Sequence, residues 1–464
     1  MAATMLNKLI AFVTFIVIAR IVGVQMTGTY FFGVAVTSVF VILTDLGMTP
    51  VVIRAVSASR EDAPRLLGAA LRAKLLLIPV AIAASLGYGL WRGVAPETFA
   101  TIAVACAVMS ADATHLVLYG VLRGRQNLRF EATGMCIGQV FTALLAITIA
   151  RTHPTAAGLA VALLAGSVWN VAWAATKLRS VRVAIDRPRR ADVARLAHEA
   201  IPFGIAGIAV KVYSYVDSLL IEMFHGLAAV GMYAVAYKMT YALQFLPLTF
   251  TAALYPALAK QWAEQDREKL HATFLGSMRF LAAIGFPITA GLSALAPRII
   301  PLAYGTQYVG AIPAFEILPW VLLPIFIDFP IGALLNATHR AHLKTMAMVA
   351  TMILNVALNA ILVPSHGLVG AAWAGVASFW TLMFIGLFFT RKDSNGWWPT
   401  MNILVRSAGA AAVAWFAWRT IGSHFPFVVS VFFGAAISIL LAFALRLVTR
   451  KDVTRILQTI HADF

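Results

Sequence analysis

The run from residue 425 to residue 446, FPFVVSVFFGAAISILLAFALR, carries no charged side chain before Arg446. A helix rises about 1.5 Å per residue, so such a run can cross a hydrocarbon core about 30 Å thick. Similar runs recur from residue 5 onward along the 464 residues. The chain is 61% hydrophobic and 12% charged, with a mean hydropathy of +0.85. These values exclude the soluble globular, disordered and collagen-like classes and predict an all-α integral membrane protein.

Apolar runs of this kind predict about 14 transmembrane helices. Their predicted ranges are 5–22, 29–53, 68–90, 98–121, 133–150, 157–176, 201–224, 228–254, 274–296, 313–335, 345–364, 367–390, 402–421 and 425–446. With the N-terminus inside, 29 of the 36 basic residues fall on the inner side, five on the outer side and two within spans. Basic residues concentrate in cytoplasmic loops, so both termini are predicted to be cytoplasmic. We expect a multi-pass protein of the bacterial inner membrane.

The net charge of +17 is explained by these inner loops, and no soluble basic domain is present to bind nucleic acid. Cys106 and Cys136 both lie in apolar runs and imply neither a disulfide framework nor a metal cluster. The sequence contains no phosphate-binding loop of the G-x-x-x-x-G-K-[ST] type and no H-E-x-x-H helix. The outer loops are short, whereas a membrane transferase usually needs a sizeable one. We therefore expect no enzymatic activity, no cofactor and no metal.

A weak internal repeat relates the first six spans to the next six. Gly28-Thr29-Tyr30 in span 2 matches Gly231-Met232-Tyr233 in span 8. Six helices per unit is an even number, so both units enter the membrane from the same side. This predicts a parallel repeat with a cavity between the halves, which is a transporter architecture. The predicted domains are a six-helix lobe (1–177), a basic cytoplasmic linker (178–200), a second six-helix lobe (201–391), and two extra helices with a tail (392–464).

Polar side chains recur at helical spacing within several spans. Those on one face of span 7 are Lys211, Ser214, Tyr215, Ser218 and Glu222, and those of span 8 are Tyr233, Tyr237, Thr240 and Gln244. Charged and polar groups in a bilayer usually face a wet cavity, and we predict that these two faces line one. The alternative is hydrogen bonding between helices. For Asp112, His115, Tyr119 and Arg123 in span 4, the two interpretations stand equal.

Acidic residues within the spans are compatible with transport that is coupled to an ion. Asp45, Asp112 and Asp217 are the candidates for binding a coupling proton or sodium ion.

Several short motifs, taken in order, resemble those of one family. They are Ala19-Arg20-Ile21-Val22-Gly23, Gly28-x-Tyr30, Asp45-Leu46-Gly47 with Arg54, Val230-Gly231-x-Tyr233-Ala234-x-Ala236-Tyr237-Lys238, Leu246-Pro247, and Pro364-x-x-Gly367-x-x-Gly370. The chain is similar almost end to end to the polysaccharide-transporter (Wzx-like oligosaccharide flippase) branch of the multidrug/oligosaccharidyl-lipid/polysaccharide (MOP) superfamily, which includes the MATE exporters.

This resemblance implies export of an undecaprenyl-diphosphate-linked oligosaccharide from the cytoplasmic to the periplasmic leaflet by alternating access. The oligosaccharide would be a repeat unit of O-antigen, capsule or exopolysaccharide. The resemblance also assigns diphosphate binding to Arg20 and Lys238, and less directly to Arg54. Lys211 joins them because it is a base on the polar face of span 7. The implied partners are the lipid-linked oligosaccharide, membrane lipids, and a polymerase with other assembly proteins.

Two other functions are weighed against this one. A MATE-type ion-coupled exporter of small cationic compounds would use buried carboxylates such as Asp112, Asp217 or Glu222. A membrane sugar transferase or polymerase would need a carboxylate or metal cluster at one membrane face, which the sequence lacks.

Overall fold

In the computed structural model, residues 2–58, 63–181, 186, 189–393 and 396–447 are described, and the regular elements within those ranges are all helical. Parts of the predicted linker and the tail from residue 448 lie outside the described residues. Short 3₁₀ segments occupy Val41–Thr44, Thr306–Ala311 and Leu318–Val321. The helices are α1 (Ala2–Phe40), α2 (Met48–Ala58), α3 (Ala63–Arg92), α4 (Pro96–Gly124), α5 (Leu128–Thr152), α6 (Ala156–Ser180), α7 (Arg190–Ala242), α8 (Phe245–Ala263), α9 (Arg267–Ala294), α10 (Ala296–Tyr304), α11 (Ile312–Ile317), α12 (Leu322–Ala337), α13 (Ala341–Thr390), α14 (Trp398–His424) and α15 (Phe427–Ala444).

Ten stretches of the described chain are helical, long and apolar enough to cross a membrane. Three of them are two helices joined at a glycine with positive φ, at Gly23 (83°), Gly226 (77°) and Gly367 (54°). Counting both parts of these three and adding α14 gives fourteen segments in the described ranges, as predicted. The chain turns back at Gly367. Gly370 therefore lies against the carbonyl of Leu362, eight residues earlier, which a continuous helix would not allow.

The described chain packs as two compact units, residues 1–235 with 356–370, and residues 236–355 with 371–464. At one end of the first unit, the termini of α2 to α7 that carry basic residues lie close together. Ser57 donates to the carbonyl of Gly124 at 3.2 Å, and the Arg125 guanidinium donates to the carbonyl of Val181 at 2.8 Å. We call this the basic end of the first unit. The predicted division at residues 177, 200 and 391 remains a prediction about the repeat.

The helix of span 2 is interrupted between α1 and α2. Leu46 (φ 43°) and Gly47 (φ 85°) both adopt left-handed conformations there. The Asp45 carboxylate accepts the N–H of Thr49 at 3.2 Å, and Lys74 Nζ donates to Asp45 Oδ1 at 2.8 Å and to the carbonyl of Thr44 at 3.1 Å. The side chains of Asp45 and Lys74 thus satisfy backbone groups that the break leaves without helical partners.

The two glycines of the predicted repeat lie against each other. A Cβ on Gly28 would overlap the carbonyl of Leu227, and a Cβ on Gly231 would overlap the carbonyl of Val24. Leu227 is four residues before Gly231, and Val24 is four residues before Gly28. Each of the two contacting glycines also follows a turning glycine, Gly226 or Gly23, by five residues. The contact between the two helices is therefore reciprocal, and the relation between the two six-helix lobes remains a prediction.

The second unit includes the extra helices. The Ser293 hydroxyl of α9 accepts the indole N–H of Trp415 in α14 at 3.0 Å and that of Trp320 at 3.2 Å. Arg419 donates to Glu316 Oε1 at 2.6 Å. These bonds join α14 to the rest of the unit.

Asp266, in the loop between α8 and α9, is the N-cap residue of α9. Asp266 accepts the N–H of Lys269 at 3.0 Å at the start of α9, and the Lys269 ammonium lies 2.9 Å from its carboxylate. Both donors hold the pKa of Asp266 below its ordinary value.

Candidate functional site

A polar cavity of about 360 Å³ lies within the first unit. Five helices line it, namely α1, α4, α5, α6 and the first half of α7. Its polar lining includes Ser38, Asp112, His115, Gln139, Ser167 and Lys211. Hydroxyl, amide, imidazole, carboxylate and ammonium groups on membrane-spanning helices indicate a water-accessible ligand site.

Asp112 is the centre of a hydrogen-bonded cluster in this cavity. Its Oδ1 atom accepts the Ser167 hydroxyl at 2.5 Å and lies 3.1 Å from His115 Nε2. The buried Nδ1 of His115 has no hydrogen-bond partner among the described residues. One ring nitrogen of the imidazole therefore contacts Asp112, and the other is buried beside the cavity.

The rest of the span 4 face joins helices instead of lining open space. The Tyr119 hydroxyl donates to Asn170 Oδ1 at 2.8 Å, and Arg123 pairs with Glu131. Asp112 and His115 line the cavity, whereas Tyr119 and Arg123 hold α4 against α5 and α6.

Lys211 brings a positive charge to the same cavity. Its ammonium lies 5.8 Å from the centroid of the Tyr215 ring, and Tyr215 lies beside Ser38 of α1. The structure thus places two residues of the predicted span 7 face at or near the cavity. Ser214, on the same face, is half-buried.

Asp217 lies in a separate buried cluster. Its Oδ2 accepts the Tyr233 hydroxyl at 2.5 Å, and its Oδ1 accepts the N–H of Ser218 at 2.7 Å. The predicted residues Ser218 and Tyr233 therefore hold a carboxylate. Their assignment to a cavity lining, and that of Asp217 to ion coupling, remain predictions.

The other charged candidates in the first unit have partners. Glu222 pairs with Arg92 at 3.3 Å, near the turn at Gly226. Arg54 pairs with Glu199 at the basic end. Arg20 is exposed, three residues before the turn at Gly23. Diphosphate binding by Arg20 and Arg54 remains a prediction.

The remaining candidates belong to the second unit. The ring centroids of Tyr237 and Tyr241 lie 4.3 Å apart. Lys238, which follows Tyr237 in the sequence, is half-buried. The Thr240 hydroxyl is buried without a hydrogen-bond partner among the described residues. Gln244 precedes α8 and is half-buried. Their roles also remain predictions.

Sequence reasoning missed part of the cavity and one buried base. Gln139 and Ser167 lie in spans 5 and 6, and their polarity within apolar runs was the available signal. Lys74 lies near the start of predicted span 3, and its side chain is only 2% exposed. Among the described residues, no group of three or more His, Cys, Asp or Glu side chains could hold a metal ion.

Two larger grooves have almost entirely apolar linings. One, of about 660 Å³, lies in the second unit between α9 and α15, and one of about 650 Å³ lies between α5 and α6. Such surfaces suit lipid chains but offer no group to a charged headgroup. The polar cavity of the first unit is therefore the better candidate site.

Comparisons with known proteins agree with this architecture. Residues 1–262 match the family described as "Polysaccharide biosynthesis protein", and residues 202–361 match the MatE family. The chain is 23% identical over 362 residues to the "Probable low-salt glycan biosynthesis flippase Agl15" of Haloferax volcanii, covering 78% of this chain and 75% of that protein.

Among solved structures, the lipid II flippase MurJ in an inward closed conformation has a TM-score of 0.76 at 13% identity. The alignment covers 95% of this chain and 97% of that one. An inward-facing MATE multidrug transporter of the MOP superfamily has a TM-score of 0.70 at 19% identity, covering 86% and 95%. At these identities the likeness shows the fold alone.

The polar cavity lies in a helical bundle whose apolar helices are long enough to cross a membrane and whose fold is that of the two MOP-superfamily structures compared above. Since more than half of the chain matches its profile, the protein belongs to the polysaccharide biosynthesis protein family. The resemblance inferred from the sequence motifs is thereby confirmed.

Proposed function

We propose that the protein is a flippase that moves undecaprenyl-diphosphate-linked oligosaccharide from the cytoplasmic to the periplasmic leaflet by alternating access. The observation that carries the proposal is the cavity containing Lys211 together with hydroxyl and amide groups. A diphosphate requires a cation, and a sugar requires many hydrogen-bonding groups. Membership of the family and the flippase relative point to the same substrate class.

Within the cavity, Lys211 would neutralise the diphosphate, while Gln139 and Asn170 would meet sugar hydroxyls. An ammonium can bind phosphate oxygens from several directions because it is a compact charge with three donors. A polymerase and other assembly proteins would receive the product at the periplasmic face.

A second candidate function rests on a specific observation. Asp112 lines the same cavity as Lys211, and Asp217 is a buried carboxylate held by hydroxyl and backbone donors. Carboxylates of this kind suit an ion-coupled exporter of small cations, with Asp112 and Asp217 binding the coupling ion or the cargo. Asp45 fits that role less well because it pairs with Lys74.

Lys211→Gln tests the primary function. We expect at least a tenfold loss of flipping, because a charge-assisted bond to phosphate contributes about 1.5–3 kcal/mol. The assay follows the sidedness of lipid-linked oligosaccharide in spheroplasts of a strain lacking the gene, using a membrane-impermeant sugar-oxidising label. Complementation by the wild-type protein should restore labelling at the outer surface.

Lys177→Gln is the matched control. Lys177 lies on α6 with its ammonium 4.3 Å from the Trp173 ring, and it does not line the cavity. Its loss should leave flipping unchanged. If Asp112→Asn abolishes efflux of a cationic dye while wild-type and Lys211→Gln cells show the same glycan sidedness, the exporter function replaces the flippase.

A further inference from the structure

An apolar groove on the first unit leads along a row of aromatic rings to a positive charge. The groove between α5 and α6 has a volume of about 650 Å³, and its lining includes Phe141 and Trp169, whose ring centroids lie 5.1 Å apart. The Trp169 ring stacks on that of Trp173, with 5.7 Å between the centroids. The Lys177 ammonium lies 4.3 Å from the centroid of the Trp173 ring. The groove lining itself carries no charge, and Lys177 supplies one just beyond it, at the basic end.

Hydrogen bonds hold the two tryptophans of this row in place. The indole N–H of Trp169 donates to the carbonyl of Gly134 at 3.2 Å, and that of Trp173 donates to the carbonyl of Phe130 at 2.8 Å. Both acceptors belong to α5, so the bonds join α6 to α5 along the row. Because the one polar atom of each indole is already bonded, a hydrocarbon chain can pack on the rings without burying an unsatisfied donor.

Lys177 is a base without an acidic partner in the described part of the first unit. The ion pairs found there join other residues. Its ammonium instead lies near two rings, that of Trp173 and, at 5.3 Å, that of Phe130. Ring faces attract a cation without neutralising its charge. A base in this position at a membrane interface attracts anionic headgroups.

The length of the row matches one leaflet of a bilayer. Ala165, the groove residue of α6 that is farthest from Lys177, lies twelve residues before it. Twelve residues span about 18 Å along a helix axis. One leaflet contributes about 15 Å to a hydrocarbon core about 30 Å thick. A single acyl chain whose phosphate lies beside Lys177 therefore reaches along the α6 side of the groove.

We propose that the α5–α6 groove and Lys177 together form a binding site for an anionic glycerophospholipid of the leaflet at the basic end. One acyl chain lies in the groove against Trp169 and Trp173, and the phosphate lies beside the Lys177 ammonium. The charge of Lys177 selects an anionic lipid over a zwitterionic one. None of these residues lines the polar cavity, so the site is separate from the one assigned to the transported substrate.

The test uses the full-length protein, stripped of lipid in detergent and titrated with dioleoyl phosphatidylglycerol or dioleoyl phosphatidylcholine. Native mass spectrometry measures the occupancy of each lipid. We expect the wild-type protein to bind phosphatidylglycerol about fivefold more tightly than phosphatidylcholine. Lys177→Gln should remove this preference, and Lys177→Arg should retain it.

A second variant tests the groove itself. Val168 lines the groove and is 52% exposed, so Val168→Trp should fill the space of the acyl chain and weaken both lipids at least about fivefold. Val161→Trp is the matched control, because Val161 is 42% exposed on the same helix and does not line the groove. It should leave both affinities unchanged. Dihexanoyl phosphatidylglycerol, which has the same headgroup but short chains, should bind more weakly than the dioleoyl lipid.

Arg267→Gln is the control for the charge. The Arg267 guanidinium lies 3.8 Å from the ring centroid of Trp262 in the second unit, and Trp262 lines neither apolar groove. Its loss should leave the lipid preference unchanged. Equal affinity of the wild-type protein for the two dioleoyl lipids, or equal effects of Val168→Trp and Val161→Trp, would overturn the proposal. A lipid-free dimer that Val168→Trp converts to a monomer would also overturn it, because the groove would then be an interface between two copies of the chain.

Discussion

At the scale of single residues, the partner of a charged side chain decides what it can do. Lys74 and Lys211 are both lysines of apolar helices, yet Lys74 is bound to Asp45 and a backbone carbonyl, whereas Lys211 faces a cavity. The first ammonium is already satisfied and stabilises a helix break. The second is placed where an anionic ligand can reach it.

Lys74→Met should lower the free energy of unfolding by about 3–5 kcal/mol, because Asp45 would keep a charge without its cation. Unfolding in mixed detergent micelles with increasing dodecyl sulfate measures the change. The double variant Lys74→Met/Asp45→Asn should recover most of it.

Lys260→Met is the control for this prediction, since the Lys260–Glu264 pair is largely exposed and should contribute little. Equal losses in the two lysine variants would contradict the role assigned to burial.

At the scale of helices, glycine sets the geometry of the crossing between α1 and α7. α1 and α7 both turn at a glycine with positive φ, and both then present a second glycine five residues later. Only a residue without Cβ permits the reciprocal contact between Gly28 and Gly231. The recurring Gly-x-Tyr motif therefore marks a helix crossing, in addition to marking the family.

Gly231→Ala should destabilise the protein by about 1–3 kcal/mol, because its Cβ would overlap the carbonyl of Val24 and force the helices apart. Gly276→Ala in α9 is the control, since a Cβ there has open space. It should be neutral or stabilising by up to about 1 kcal/mol. Thermal unfolding in detergent compares the two, and equal stability would contradict the close crossing.

At the scale of the molecule, the basic end of the first unit supports an orientation. Six helix ends that carry arginine or lysine meet there, held by bonds such as Arg125 to Val181. Basic segments are retained in the cytoplasm, so this end is expected to face inward. A prenyl-diphosphate substrate made in the cytoplasm would then meet this end first.

Cysteine labelling tests the orientation in a background lacking Cys106 and Cys136. A membrane-impermeant maleimide should label His153→Cys in intact cells, because His153 is exposed at the opposite end of the first unit. Ser180→Cys, exposed at the basic end, should react only after permeabilisation. Labelling of Ser180→Cys in intact cells would invert the topology and the proposed direction of transport.

The apolar runs and their flanking charges predicted the class and the fourteen segments, because hydropathy and length alone decide which stretches can cross a bilayer. The ordered motifs predicted the family. The sequence placed Asp112 and Lys211 on polar faces, but it could not show that they share one cavity.

Only the tertiary structure decided which charges are paired. Asp45 and Asp112 are both acids in spans, yet one is matched by the buried Lys74 and the other lines a cavity. Arg54 and Lys211 are both bases assigned to one diphosphate, yet Arg54 pairs with Glu199 at the basic end, whereas Lys211 lines the polar cavity. Helical periodicity predicts the face of the helix on which a side chain lies. The group that this side chain contacts depends on which other helix packs against that face. The packing partner is decided by contacts between residues far apart in the chain, which periodicity does not reveal.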